Sequence, residues 1–186
     1  MSRAEYIKFI VIHCTAGYGS IDSIIKYWRE SLGWNGNGYA IIIDLDGIPW
    51  YITKNRTYTK DIDKADIGQV TNGVRGWNDI SIHISYIGGV QKNNYKIAKD
   101  TRTDAQKIGL IKAIDTVVYW LYENGKDISK SLGIVGHRDF SNDKNGNGLI
   151  ESWERIKECP SFDAIPEYKH MLMNSENDVI GMLPSK

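Results

Sequence analysis

Residues 9–13 read FIVIH, four apolar side chains that stop at a histidine, and residues 133–137, GIVGH, repeat the form. A run of apolar residues this short and unbroken suits a strand covered on both faces. Two such strands running the same way in one sheet would deliver His13 and His137 together at its carboxyl edge, where open α/β sheets bind their ligands.

The segments between and after them supply helices and further strands. SIDSIIKYWRESLG, residues 20–33, reads as a helix, with Ser20 or Asp22 as cap and Gly33 at the C-terminal stop. YAIIIDLDGIPWYI, residues 39–52, is a pair of β-rich segments joined through Asp46-Gly47, a strong hairpin signal. Residues 53–79 are polar and read as loops around a site. SIHISYIGG, residues 81–89, alternates, with Ser81, His83 and Ser85 opposite Ile82, Ile84 and Tyr86, so a half-buried strand is expected. Thr103 and Gln106 form a capping box before a long helix that Gly125 ends, with Ile108, Ile111, Ile114, Val118 and Leu121 as its apolar stripe. A short helix is expected over residues 151–158 and a last one over 165–174. Strands alternating with helices make this an α/β chain around one central sheet. Residues 1–174 read as one domain and 175–186 as a loose tail.

The 186 residues carry 23 Lys and Arg against 23 Asp and Glu, so no overall field points to nucleic acid or an anionic membrane. Two cysteines, Cys14 and Cys159, exclude a disulfide framework and leave each thiol for chemistry. The apolar start runs straight into His13 with no cleavage site, so it reads as a strand and not as a signal peptide. No apolar run reaches the ~18 residues of a membrane span. Synthesis in the cytoplasm, with delivery to the cell wall by another route, and a monomeric state are the expectations.

A histidine pair at one sheet edge can hold a metal, or the two can serve unrelated structural ends. Cys159, in KECPSF and remote from the other cysteine, tips the reading: a thiolate with two imidazoles gives three ligands and leaves the fourth tetrahedral position to water, as in a catalytic zinc site. Cys14 lies on the opposite face of its strand from His13 and reads as a core thiol. His83 and His170 are left outside the metal set.

Residues 143–154, DKNGNGLIESWE, meet every position of the calcium-loop template D-x-[DN]-x-[DN]-G-x₅-E. Asp143, Asn145 and Asn147 would offer side-chain oxygens, Leu149 its carbonyl, Glu151 a direct or water-mediated contact, and Glu154 two oxygens, with Gly148 at the sharp turn. No helix precedes the loop, so it is not a full EF-hand, and Asn at two positions points to weaker binding than a high-affinity buffer. The expected role of calcium is structural, ordering the connection between two zinc ligands.

FIVIHCTA, GWNGNGYAIIIDLDG, GWNDISIHISYIGG, GHRD and KECPSFD stand in the order found in the zinc-dependent N-acetylmuramoyl-L-alanine amidases, a family that includes short phage endolysins and peptidoglycan recognition proteins. The resemblance runs over roughly residues 7 to 170. It implies a mixed sheet flanked by helices, and hydrolysis of the bond between the lactyl group of N-acetylmuramic acid and L-alanine in peptidoglycan. By the same resemblance His13, His137 and Cys159 are the zinc ligands, Tyr39 and Lys157 the catalytic side chains, and Asn78 a substrate contact. From the residues alone, Tyr39 also reads as a core-edge aromatic and Lys157 as a solvated charge. Two departures stand out: Ala40 replaces a histidine common after the tyrosine, and the calcium-type loop is absent from the shortest relatives. A non-catalytic peptidoglycan-binding module of the same fold is the alternative.

Overall fold

The computed structural model describes residues 2–147, 150–172 and 176–183, with the side chains of residues 176–178 left aside. After a one-turn helix α1 (Arg3–Tyr6), strand β1 (Phe9–Cys14) enters the centre of a six-stranded sheet. Helix α2 (Ile21–Lys26) widens into a π turn over Tyr27–Ser31; Ser20 caps its start, its hydroxyl accepting from the Ser23 amide. Then follow β2 (Ile41–Ile43), β3 (Pro49–Ile52), β4 (Tyr58–Thr59) and β5 (Ser81–Tyr86). A small hairpin, β6 (Val90–Gln91) and β7 (Asn94–Ala98), precedes the long helix α3 (Asp104–Glu123); β8 (Gly133–Gly136), α4 (Ala164–Tyr168) and α5 (Glu176–Met182) complete the chain.

The sheet order is β4-β3-β2-β5-β1-β8. The four strands β2, β5, β1 and β8 are mutually parallel, while β3 pairs antiparallel with β2 and β4 antiparallel with β3 at one edge, so the sheet is mixed, as the family resemblance implied. Ile12 pairs with Gly136 and His13 with Ser85, which puts the end of β1 between the ends of β8 and β5. The shared form of FIVIH and GIVGH thus has its expected consequence. Both histidines leave the sheet at one level.

One face of the sheet, carrying Ile10, Ile12, Ile41, Ile43, Ile82 and Ile84, is covered by α3 in the main core. The buried face of α3 keeps Ile114, Leu121 and the partly buried Val118 of the expected stripe but not its first two members. Ile108 and Ile111 are exposed, while Gly109, Leu110, Ala113, Ile114, Val117 and Leu121 are buried. Close approach favoured small residues over large ones: a Cβ on Gly109 would sit 2.2 Å from the Gly47 carbonyl oxygen.

The other sheet face was expected to meet solvent at Ser81, His83 and Ser85, yet all three are fully buried. The loop through Thr71 and Gly73 covers them, with Gly73 laid against the His83 ring. Residues 151–158 form turns and no helix; Glu154 is drawn back to the Lys144, Asn145 and Glu151 amides, and the Ile156 amide donates to the Ser141 hydroxyl and not to a helical carbonyl. The expected loose tail contains α5, whose Val179 packs over Gly133 of β8. The β6–β7 hairpin had no counterpart in the sequence reading.

Candidate metal centre and its cleft

At the carboxyl edge of β1 and β8, the donor atoms of His13, His137 and Cys159 lie within 4.8 Å of one another. Among the described residues this is the group of histidines, cysteines and carboxylates gathered closely enough to hold a metal ion. His13 Nδ1 stands 3.1 Å from His137 Nδ1 and 3.6 Å from Cys159 Sγ. His13 and His137 are buried and Cys159 is half-buried, a set open on one side. Two imidazoles and one thiol, with a face left to solvent, fit a zinc ion that keeps one position for water.

Cys159 is held from three directions. The Arg138 amide donates to its carbonyl at 2.8 Å, the Cys14 amide to its Sγ at 3.2 Å, and the Tyr86 hydroxyl to the following Pro160 carbonyl at 2.7 Å. Arg138 and Asp163 form an ion pair that joins GHRD to CPSFD a second time. Cys14 is a buried core thiol, as expected, but its amide serves the site.

The electrostatics favour neutral imidazoles. Burial holds His13 well below the ordinary histidine range, helped by His83, His137 and Lys157. Burial and then Lys157 push His137 down to about 4. Both rings therefore offer lone pairs at neutral pH. Burial pushes the Cys159 thiol up, while the Cys14 amide and the Lys157 ammonium favour its thiolate. A bound cation would settle that contest on the side of the thiolate.

The donors open into a cleft of 890 Å³ whose walls include Trp28, Tyr39, Asn72, Arg75, Trp77 and Lys157. The Tyr39 ring lies 5.0 Å from that of His13 and edge-on to Trp28 at 5.5 Å. Burial, with the nearby Cys159 and Cys14 thiols, raises the Tyr39 hydroxyl far above the tyrosine range, so it stays protonated and donates. Among the described residues lining the cleft there is no Asp or Glu.

A family model described as N-acetylmuramoyl-L-alanine amidase matches residues 3–160. The chain belongs to that amidase family. Its activity class is therefore hydrolysis of the N-acetylmuramoyl-L-alanine amide. The amidase is 35% identical over 97 residues to an uncharacterized protein of Haemophilus influenzae, a stretch covering 52% of this chain and 75% of that relative. Its fold is similar to that of the endolysin amidase LysCS from Clostridium intestinale, with TM-score 0.57, 18% identity, and 91% and 86% of the two chains covered. It is similar also to a point mutant of Drosophila PGRP-LB in complex with tracheal cytotoxin, with TM-score 0.57, 16% identity, and 88% and 80% covered.

Of the residues singled out in the sequence, the amidase brings together His13, His137, Cys159, Tyr39 and Lys157 around the cleft. Asn78 stands apart from the cleft lining. Its Oδ1 accepts from the Val74 amide at 2.8 Å and its carbonyl from Arg3, so it shapes the loop whose other residues line the cleft. In the calcium-type loop, Glu154 is buried with both oxygens accepting from backbone amides, Asp143 accepts from the Gly146 amide, and Asn145 donates to Glu151. Gly148 and Leu149 of that template lie outside the described residues. His170 is exposed, as expected. His83 was passed over in the sequence, yet its Nδ1 lies 3.0 Å from His13 Nε2. The signal that could have found it was its register: two residues before Ser85, the residue paired with His13, and on the same sheet face.

Proposed function

We propose that this amidase holds one zinc ion on His13, His137 and Cys159 and uses it to cut muramoyl peptides in the cleft beside them. The single observation behind this is the three-donor group within 4.8 Å at the floor of that cleft. A recognition module without activity, the alternative, would have no task for the Cys159 thiol.

When bound, zinc would polarise the scissile carbonyl and acidify a water molecule. The chain's own side chains do the rest. Tyr39, neutral and half-buried, donates a hydrogen bond toward the charge that develops on the carbonyl oxygen. Lys157 brings a fixed positive charge to the same mouth, on the same segment as Cys159. With no carboxylate among the described lining residues, proton transfer falls to water, with Tyr39 as a hydrogen-bond donor beside it. Trp28 and Trp77 give the cleft apolar walls against which a sugar or lactyl group can shed water.

For residues 143–154 we propose a structural calcium ion. The template match and the burial of the Glu154 carboxylate support it. The backbone amides that Glu154 now accepts show what the loop does with that carboxylate on its own, and calcium would reinforce the same closure. Two Asn positions point to weak binding. A monomer that reaches the wall after release or delivery completes the proposal.

The test is to digest purified muropeptides and follow products by mass spectrometry. Release of free peptides beginning with L-alanine supports the assignment, and intact muropeptide after long incubation with zinc-loaded protein opposes it.

A further inference from the structure

Beyond the three donors, the site contains a third histidine that the metal ligand set does not require. His13 meets the donor group through Nδ1, which faces His137 and Cys159. Its other nitrogen, Nε2, lies 3.0 Å from His83 Nδ1. His83 is fully buried, its ring 5.1 Å from that of His13, and its own Nε2 has no hydrogen-bond partner. An unpartnered buried polar atom is costly and rarely kept without a task.

We propose that His83 is a positioning residue for the metal ligand His13, fixing which nitrogen carries the proton and the direction in which the ring points. This rests on the zinc reading of the site. A ligating Nδ1 must be free of hydrogen, so the proton of neutral His13 sits on Nε2 and donates to His83 Nδ1. His83 must then accept at Nδ1 and carry its own proton on Nε2, the atom left without a partner. The reverse arrangement, with His83 donating, would place a proton on His13 Nδ1 and close it to a metal. The orphaned Nε2–H is thus the cost of the one tautomer pair that serves the site.

Second-sphere partners of metal-bound histidines are commonly carboxylates or backbone carbonyls, which make the ligand more basic. His83 is a neutral acceptor. It orients the ring without adding negative charge beneath the ion, so the Cys159 thiolate is the only anion in the set. A cation held this way keeps more of its charge for the substrate carbonyl.

Gly73 fixes where His83 can stand. A Cβ there would come within 2.3 Å of His83 Nδ1 and 2.4 Å of its Cγ, against the very edge that faces His13. The loop therefore confines the ring, and only glycine leaves it room.

Three variants test this. His83→Leu removes the acceptor, His83→Asn places an amide oxygen near the ring Nδ1 position, and Gly73→Ala displaces the ring. Zinc affinity is read by competition with a chromogenic chelator, and the His13 Nε2–H by its ¹H–¹⁵N resonance in the zinc-loaded protein. His83→Leu should bind zinc about 10–100-fold more weakly, Gly73→Ala should follow it, and His83→Asn should stay near wild type with the Nε2–H signal kept. Equal zinc affinity in wild type and His83→Leu, or His83→Asn as weak as His83→Leu, would overturn the proposal while leaving the zinc site standing. If the leucine variant fails to melt cooperatively, the contrast between His83→Asn and Gly73→Ala decides the same question. A wild type that takes up no zinc overturns the reading of the site itself, and this proposal with it.

Discussion

The Arg138 amide donates to the Cys159 carbonyl across 2.8 Å, and this one bond ties the strand end carrying His137 to the turn carrying the third donor. The two residues are separated in sequence by the loop of residues 143–154. Closure of that loop is what lets a donor so distant in the chain stand in register with the two at the sheet edge.

Cys159→Ser should lose tight zinc binding and with it peptidoglycan cleavage, since a hydroxyl is a far poorer ligand than a thiolate. Cys14→Ser should keep zinc, because its contribution to the site is its amide, at a modest cost in stability from a polar group in the core. Metal content measured on both purified variants checks the pair. Full zinc in Cys159→Ser would remove that residue from the centre.

Lys157→Ala should keep its zinc and its melting temperature, because the side chain is exposed. Turnover should fall about 10²–10³-fold, the usual loss on removing one partner of a developing oxyanion. A fall in zinc content in place of turnover would make the lysine structural.

Glu154→Gln tests the loop. One of the two oxygens that accept the Lys144, Asn145 and Glu151 amides becomes a donor facing a donor, which should cost about 1–3 kcal/mol of stability even without calcium. In the wild type, millimolar calcium should raise the melting temperature, and the variant should lose that response. Calcium-independent melting of the wild type would leave the loop held by Glu154 alone.

Acid should destabilise the zinc-free protein in a defined window. Burial keeps His137 at about 4 and His83 at about 3 in the fold. In the unfolded chain both return to about 6.5, so there the unfolded state binds more protons. The stability carried by the neutral rings is present above about pH 6.5 and lost as pH falls through the folded values, amounting to about 3 kcal/mol for His137. Urea midpoints of the zinc-free protein should fall between about pH 7 and about pH 5, and a flat midpoint would contradict the burial of neutral rings.

The amidase fold and its donors were legible because their signals are local or repeated. FIVIH and GIVGH each show an apolar run ending in a histidine, and parallel pairing of the two strands does the rest. Cys159 was read from a lone thiol that could join two imidazoles, whereas Tyr39 and Lys157 were read through family resemblance, since nothing in their spacing places them at one cleft. The errors share a cause. Ile108 and Ile111 were placed on the apolar stripe, but the helix turns Gly109 to the β2–β3 turn and leaves those two side chains exposed. His83 was set beside two serines and sent to solvent, because sequence periodicity reports that a face is polar and not that a loop through Gly73 will bury it. Residues 151–158 have helical composition, but the Ile156 amide goes to the Ser141 hydroxyl and Glu154 turns back to residues 144 and 145, contacts that composition does not report.

The most direct test of zinc-dependent amide cleavage is a strip-and-restore experiment on muropeptide digestion. The protein is freed of metal with a chelator, assayed, and assayed again after one equivalent of zinc, with new L-alanine amino termini counted in each case. The account predicts no new termini without metal and recovery with zinc in the wild type but not in Cys159→Ser. Undiminished release of L-alanine termini from the metal-free protein would contradict it.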